Sequence, residues 1–446
     1  MKTSVQLTTL AALTTTVLAA CSPQTVLPLG NGNQPAINPG VNSFAAAQSG
    51  EQIVPGKVLV KFRAGRGGTI NSATLAQAGV QRSRSLGAVK NNLEVLAITG
   101  KQSPERVATE LEKNPAIEFA EPVFTVPFPK VMRASEDTPP ADNATYPNDA
   151  MFSRQYAHQV AKSQGGWAVH RGNPKVILGI VDSGLDINHV DLKAKVVGTY
   201  NSADGNPESV DHVGHGTHVA GISAALTNNT LGVAGVAPDC SILAVKVAPG
   251  NSSSPTTEGI ANGILYAMDK GAQVINLSLG SRRESQAITD AVKQALARNV
   301  VVVVAMGNDS GNIKSWPAAV PGVIAVGSTD NRDQRSRFSN YGDWITVTAP
   351  GSDILSTFPL NTNLIGQKEY GAISGTSMAA PFVTGLAGLI RSKYPGLSNV
   401  DVKRAIEMSS DDLGKPGFDP EFGFGRVNVA KALSRAGELA VGAARR

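Results

Sequence analysis

Residues 175–182 read KVILGIVD and are followed at once by Ser183 and Gly184. From Val176 to Val181 the run offers apolar or small side chains to both faces of a strand, which suits a parallel sheet covered on both sides. Four further runs share this texture: SILAVKV (241–247), QVINLSLG (273–280), NVVVVVAMG (299–307) and GVIAVGS (322–328). Segments with helical spacing, ANGILYAMDKG (261–271) and ITDAVKQALARN (288–299), lie between them. Strands alternating with amphipathic helices predict a doubly wound, mostly parallel α/β domain over residues 149–446. In such sheets ligands bind beyond the carboxyl ends of the strands, so Asp182, closing its run, stands where a crevice is expected.

A chain of 446 residues has room for more than one domain. Within 51–126, GKVLVKF (56–62) and LEVLAI (93–98) alternate as strands do, and AIEFAEPVFTV (116–126) reads as another. SPERVATELEKN (103–114) offers Ser103 as an N-cap and Pro104 at the first helical position, so this stretch predicts a small α+β unit. Residues 127–148 form a Pro-rich polar connector. Residues 22–50, rich in Pro, Gly, Asn and Gln, bury too little apolar surface to offset the entropy of ordering and read as a flexible tether. Residues 1–21 have one Lys and then an apolar stretch, the pattern of a bacterial export signal. The small residues before Cys21 resemble a lipoprotein cleavage box that would leave Cys21 lipidated; a plain secretory signal cut after an Ala-x-Ala pattern is the alternative.

Composition sets outer bounds. With 41% hydrophobic and 17% charged residues the chain is an ordinary globular protein. Its 40 basic and 35 acidic residues include no long Lys/Arg run, which weighs against a nucleic-acid partner. No other apolar run is long enough to span a bilayer. The two cysteines are Cys21 and Cys240; if Cys21 is lipidated or removed, no internal disulfide can form, and stability outside the cell must come from packing or bound ions. Cys240, in APDCSILAVKV (237–247), reads as a small buried hydrophobe.

The stretch DHVGHGTHVAGI (211–222) carries His212, His215 and His218, half of the six histidines. As a zinc site it would need all three in one place, but successive threes drift around a helix and glycine breaks the segment. Gly214 and Gly216 instead flank His215 and present it at the start of a helix running on from Thr217. Far downstream, SGTSMAAPFVTGLAGLI (374–390) puts Ser377 at another helix start, where nearby negative charge is stabilised, with Gly375 permitting a tight turn. A hydroxyl becomes a good nucleophile when an imidazole takes its proton and a carboxylate holds that imidazole, and Asp182, His215 and Ser377 supply the three groups.

The segments IVDSG (180–184), GHGTHVAG (214–221) and SGTSMAAP (374–381), in this order, resemble the three signatures of subtilisin-like serine proteases, and residues from about 145 to 430 are similar to the thermitase-like branch. The resemblance implies a subtilisin-like fold with Asp182 orienting, His215 as general base and then acid, and Ser377 as nucleophile. It implies that Asn308 of AMGND (305–309), together with the Ser377 N–H, stabilises the oxyanion. It further implies a substrate edge at Ser278, Leu279 and Gly280, and a pocket wall of Ala305, Met306 and Gly307 with Ser315 near its base. None of these is charged, so a broad preference for apolar or neutral side chains is expected, although Met306 stands where relatives carry a smaller residue.

A structural Ca2+ is implied at Asp149, Asp191, Asn229 and the carbonyls of Leu226, Leu231 and Val233, a hard-oxygen set; an ordinary Asn-rich turn in LTNNTLGV (226–233) is the alternative. A second site at Asp204 is weaker, because Asn201 and Asn206 replace family carboxylates. Phe382 and Val190 also depart from the family pattern without touching the triad. Residues 51–126 resemble a ferredoxin-like pro-domain that chaperones folding and then fills the cleft as an intramolecular inhibitor, with cleavage expected within 127–148. The whole then reads as a secreted or cell-surface serine endopeptidase made as a zymogen, monomeric and acting on proteins or peptides. A catalytically silent binding protein on the same fold and a histidine metalloprotein are the rivals. His158, His170 and His189 are expected to be structural, His218 packed, and His212 solvated.

Overall fold

The computed structural model describes residues 51–65, 70–87, 91–133 and 147–444, all within one compact unit, 46–446. The expected export signal, Cys21, the tether and most of the connector lie outside the described residues.

The N-terminal unit runs β1 (Ile53–Phe62), α1 (Ser72–Gln77), β2 (Val80–Ser85), β3 (Leu93–Ile98), α2 (Pro104–Glu112) and β4 (Ile117–Phe124). Its antiparallel sheet has the order β2-β3-β1-β4, with Leu59 opposite both Val95 and Glu121. Helix α2 begins as its sequence predicts, with Ser103 accepting from the Arg106 N–H and Pro104 in the first turn. Its inner face buries Val107, Ala108 and Leu111.

After β5 (Met132–Arg133) come α3 (Tyr156–Val160), α4 (Ser163–Trp167), β6 (Ile177–Asp182), β7 (Val196–Asn201), α5 (His215–Ala224), β8 (Ser241–Lys246) and α6 (Thr257–Asp269). Then follow β9 (Val274–Leu277), α7 (Gln286–Ala297), β10 (Val301–Ala305), β11 (Ile324–Thr329), β12 (Val347–Pro350), β13 (Ile354–Thr357) and β14 (Tyr370–Ser374). Three helices close the chain: α8 (Thr376–Lys393), α9 (Asn399–Glu407) and α10 (Val429–Ala444). Seven strands form one parallel sheet in the order β12-β11-β10-β9-β6-β8-β7, and β13, β14 and β5 form a small antiparallel one.

Alternate residues of each central strand feed opposite layers. Leu178, Ile180, Val301 and Val303 join a core with α5 and α8, while Val181, Ile275, Val302 and Val304 join one with α6 and α7. The second core continues into the N-terminal unit through Leu59, Val95, Phe119 and Val123. The two units therefore share one apolar layer, which explains why both β1 and β4 face α6 or α7.

Two local expectations are corrected. The run QVINLSLG leaves the ladder after Leu277, so Ser278–Gly280 lies beyond the end of β9. Gly216 does not stop the helix; α5 starts at His215 and passes through it.

Candidate active site

Asp182 ends β6 at the carboxyl edge of the sheet and His215 opens α5 beside it. The His215 Nδ1 lies 2.7 Å from Asp182 Oδ1, and both side chains are buried. Asp182 Oδ1 also accepts from the Ser183 N–H at 2.7 Å. Gly216 makes the approach possible, since a Cβ there would come 2.2 Å from the Gly184 carbonyl oxygen. Gly214 has φ +94°, a conformation that favours glycine. Burial pulls the His215 pKa down, but the Asp182 charge and hydrogen bond and the Asp211 charge outweigh it and raise the pKa above its ordinary value.

Asp211, which the sequence reading passed over, anchors this corner. Its Oδ1 accepts from Ser183 Oγ and from the N–H groups of Val213 and Gly214, and its Oδ2 accepts from the N–H and hydroxyl of Thr217. An Asp four residues ahead of a helix start, with Gly and Thr after it, is the legible signal, because the first N–H groups of a helix need acceptors.

Ser377 is the second residue of α8 and fully buried. In this rotamer its hydroxyl donates to the Ser278 carbonyl at 3.2 Å, and the Ser278 hydroxyl donates to the Ser377 carbonyl at 2.8 Å. The His215 Nε2 is buried without a partner, so the Ser377–His215 bond is not made in this rotamer. Gly375 is not in a turn conformation: its φ of 167° is extended, and a Cβ would sit a tight 3.2 Å from Asn308 Nδ2. The Asn308 amide is held in one orientation. Its Oδ1 accepts from the Thr376 N–H at 2.9 Å and hydroxyl at 2.8 Å, which leaves Nδ2 to donate to the Lys130 carbonyl at 3.2 Å.

Beside these groups opens a cavity of about 650 Å³ lined by Leu279, Gly280, Ala305, Gly307, Asn308 and Ser315, with Pro127–Lys130 laid along it. Met306 is not among its lining residues. It is fully buried in the core with Val304 and Ala325, as the alternation along β10 requires after Ala305. Outside the expected positions, Arg282 and Asp309 also border the cavity, paired with each other at 2.5 Å.

The subtilase family model matches residues 173–425, and the model of the fervidolysin N-terminal prodomain matches 39–122. The chain belongs to the subtilase family. A thermophilic serine proteinase of Bacillus sp. (strain AK1) is 37% identical over 383 residues, 85% of this chain and 88% of that one. Thermitase of Thermoactinomyces vulgaris is 44% identical over 288 residues, 64% of this chain and 99% of its own. The crystal structure of fervidolysin from Fervidobacterium pennivorans, described as a keratinolytic enzyme related to subtilisin, superposes with a TM-score of 0.77 at 25% identity. That match covers 87% of this chain and 62% of fervidolysin. This subtilase is thus a thermitase-like serine endopeptidase with an N-terminal prodomain of the fervidolysin type.

Of the residues expected to hold calcium, Asp191 lies beside Asn229, and Asp149 beside the same loop through the Asn228 N–H. Asp149 and Asp191 are both buried, and no described Lys or Arg forms an ion pair with either. Asp191 accepts from Asn229 Nδ2 at 2.7 Å, from the Tyr370 hydroxyl at 2.9 Å and from the Val233 N–H at 3.1 Å. Asp149 accepts from the Asn228 N–H at 2.7 Å. Burial, and then the nearby Asp191 charge, raise the Asp149 pKa against the pull of its hydrogen bonds. The Leu226 N–H donates to the Asp191 carbonyl, and the Leu231 N–H donates to Asn229 Oδ1. Two buried carboxylates without a cation beside them fit a hard ion, provided the Asn229 amide turns its oxygen inward. No group of three His, Cys, Asp or Glu suited to a metal occurs among the described residues.

Four of the other five histidines, all but His212, are occupied. His218 Nε2 faces the carbonyls of Ile354 and Gly371, and burial lowers its pKa to about 3. His158 contacts Ser163 and the Ala234 carbonyl, His170 contacts Ser392, and His189 accepts from the Asp191 N–H. Cys240 is free and buried, and burial pushes its thiol up to about 11. Asn201 Nδ2 donates to Asp204 at 2.8 Å.

Proposed function

We propose that this subtilase is an exported zymogen whose Asp182, His215 and Ser377 act as the catalytic triad, with Asn308 donating to the oxyanion. The observation that carries the reading is the polarised imidazole: Nδ1 is fixed on Asp182 while Nε2 is buried and unpartnered at the cleft. For this the Ser377 hydroxyl has to turn from the Ser278 carbonyl, to which it donates at 3.2 Å, to that nitrogen. His215 then takes the proton as Ser377 attacks a peptide carbonyl, and returns it to the leaving amine. Asp182 holds the tautomer and stabilises the imidazolium, without taking the proton itself. Asn308, its oxygen occupied by Thr376, can offer only N–H to the charge that develops on the carbonyl oxygen.

Substrate adds as a strand along Ser278–Gly280, which supplies main-chain hydrogen bonds whatever the side chains. The roomy cavity, with Arg282 and Asp309 neutralising one another at its border, favours broad specificity for apolar or neutral residues. The prodomain is the intramolecular inhibitor, and its contacts with α6 and α7 support that role. Lys57 and Arg84 both pair with Glu258, Lys61 pairs with Asp290 at 2.8 Å, and Thr257 Oγ1 accepts from the Phe124 N–H at 3.1 Å. Calcium, bound by Asp149, Asp191, Asn229 and carbonyls of Leu226, Leu231 and Val233, would tie the N-terminal loop to the 226–233 loop. Export, with or without a lipid on Cys21, rests on residues 1–21 alone.

The test is hydrolysis of an unstructured protein substrate by wild type beside Ser377→Ala, with both chains checked for folding. Loss of turnover in the variant supports the reading. Retained turnover overturns it.

A further inference from the structure

We propose that the first bond this enzyme cuts is its own Lys130–Val131 peptide. The inference rests on the catalytic reading above and adds the bond. The residues before it, TVPFPK (125–130), are built to lie extended, since Val126 and Phe128 each precede a proline and are held out of the helical region. Thr125 pairs antiparallel with Thr256, and the Val126 N–H donates to the Pro255 carbonyl at 2.8 Å, so the chain enters the cleft as an added strand. The Phe128 ring then packs on the His215 ring, centroid to centroid 5.5 Å.

Two residues on, the Lys130 carbonyl receives the Asn308 Nδ2–H at 3.2 Å. A donor placed to stabilise an oxyanion identifies the carbon that becomes tetrahedral, because it must sit on the oxygen that gains the charge. Beyond the bond, Met132 and Arg133 pair with Ser374 and Ile373 on β14, the strand that leads into Ser377. The chain is therefore held on both sides of one peptide. Lys130 itself is exposed, so its carbonyl position selects the bond, and its side chain does not.

The chemistry closes with water as the only co-reactant. Ser377 Oγ bonds to the Lys130 carbonyl carbon and its proton goes to His215 Nε2. The bond to the Val131 nitrogen breaks as His215 returns that proton to it, and water then hydrolyses the Lys130 ester. The products are a Lys130 carboxylate and a free Val131 amine, and the cut separates Cys21 from the protease domain.

The experiment is a time course of intact mass and N-terminal sequencing on full-length chain, wild type beside Ser377→Ala, with organofluorophosphonate labelling of Ser377. The expected result is an earliest C-terminal fragment beginning VMRASEDT and a partner fragment ending at Lys130, both lost in the variant. An earliest cut at any other bond, or an uncut wild-type chain whose Ser377 still takes the label, overturns the proposal and leaves the catalytic reading standing. An uncut chain whose Ser377 is never labelled sinks both. Cleavage at Lys130 that persists in the variant also overturns it, because another protease then makes the cut.

Discussion

Glu121 of β4 reaches out of the prodomain to cap a helix it does not belong to. Its carboxylate accepts from Ser285 Oγ at 2.6 Å and from the N–H groups of Gln286 and Ala287 at 2.9 and 3.2 Å, the first turn of α7. Glu121→Ala should therefore weaken the hold of the cut prodomain on the protease. Two N–H donors lose their acceptor, and each orphaned buried donor costs about 1–3 kcal/mol. Burial of the carboxylate, which raises the Glu121 pKa against the hydrogen bonds and the Arg283 charge, takes back part of that gain. A net loss of about 2 kcal/mol, roughly 30-fold in affinity, is the expected balance. The assay dilutes the processed complex and follows the return of peptide hydrolysis, with Glu118→Ala, an exposed site on the same strand, as control. Because the bound pKa is raised, this contact should be tightest in acid and loosen as pH rises through it. An inhibition constant unchanged by Glu121→Ala, or moved equally by Glu118→Ala, would refute the capping argument.

Other expectations are as specific. Asp211→Asn removes one of the charges that raise the His215 pKa, so the acidic limb of kcat/KM should move to lower pH; an unmoved limb contradicts the assignment. If calcium binds at Asp149 and Asp191, a chelator should lower the unfolding temperature, since ion at 100-fold over its Kd contributes about 2.7 kcal/mol. Asp191→Asn should abolish that sensitivity, and a variant as chelator-sensitive as wild type would count against the site.

The central strands were legible because parallel strands buried on both faces must read as unbroken apolar runs, and each of the five quoted runs contains a strand. The short edge elements were not. In β7, VVGTYN, only Asn201 is fully buried, and β12 to β14 are strands of four or five residues, too short to show a period. Asp182 and His215 each stood at a legible place, a strand end and a helix start, and the resemblance of their motifs to the subtilisin-like signatures is what paired them. Met306 was misplaced by following the family pocket instead of strand alternation. The role of Lys130 had no signal in its side chain, because the group that meets Asn308 is a backbone carbonyl, which any residue supplies.

The central claim is that His215 is the base that activates Ser377. It is tested most directly by the rate at which an organofluorophosphonate labels Ser377 as a function of pH. The imidazole must be neutral to accept the proton, and its pKa is raised above 6.5 by Asp182 and Asp211 against burial. The account predicts a single limb, with labelling falling as pH drops through that raised value, and loss of the limb together with nearly all labelling in His215→Ala. Labelling of Ser377 that is independent of pH and survives His215→Ala would contradict it.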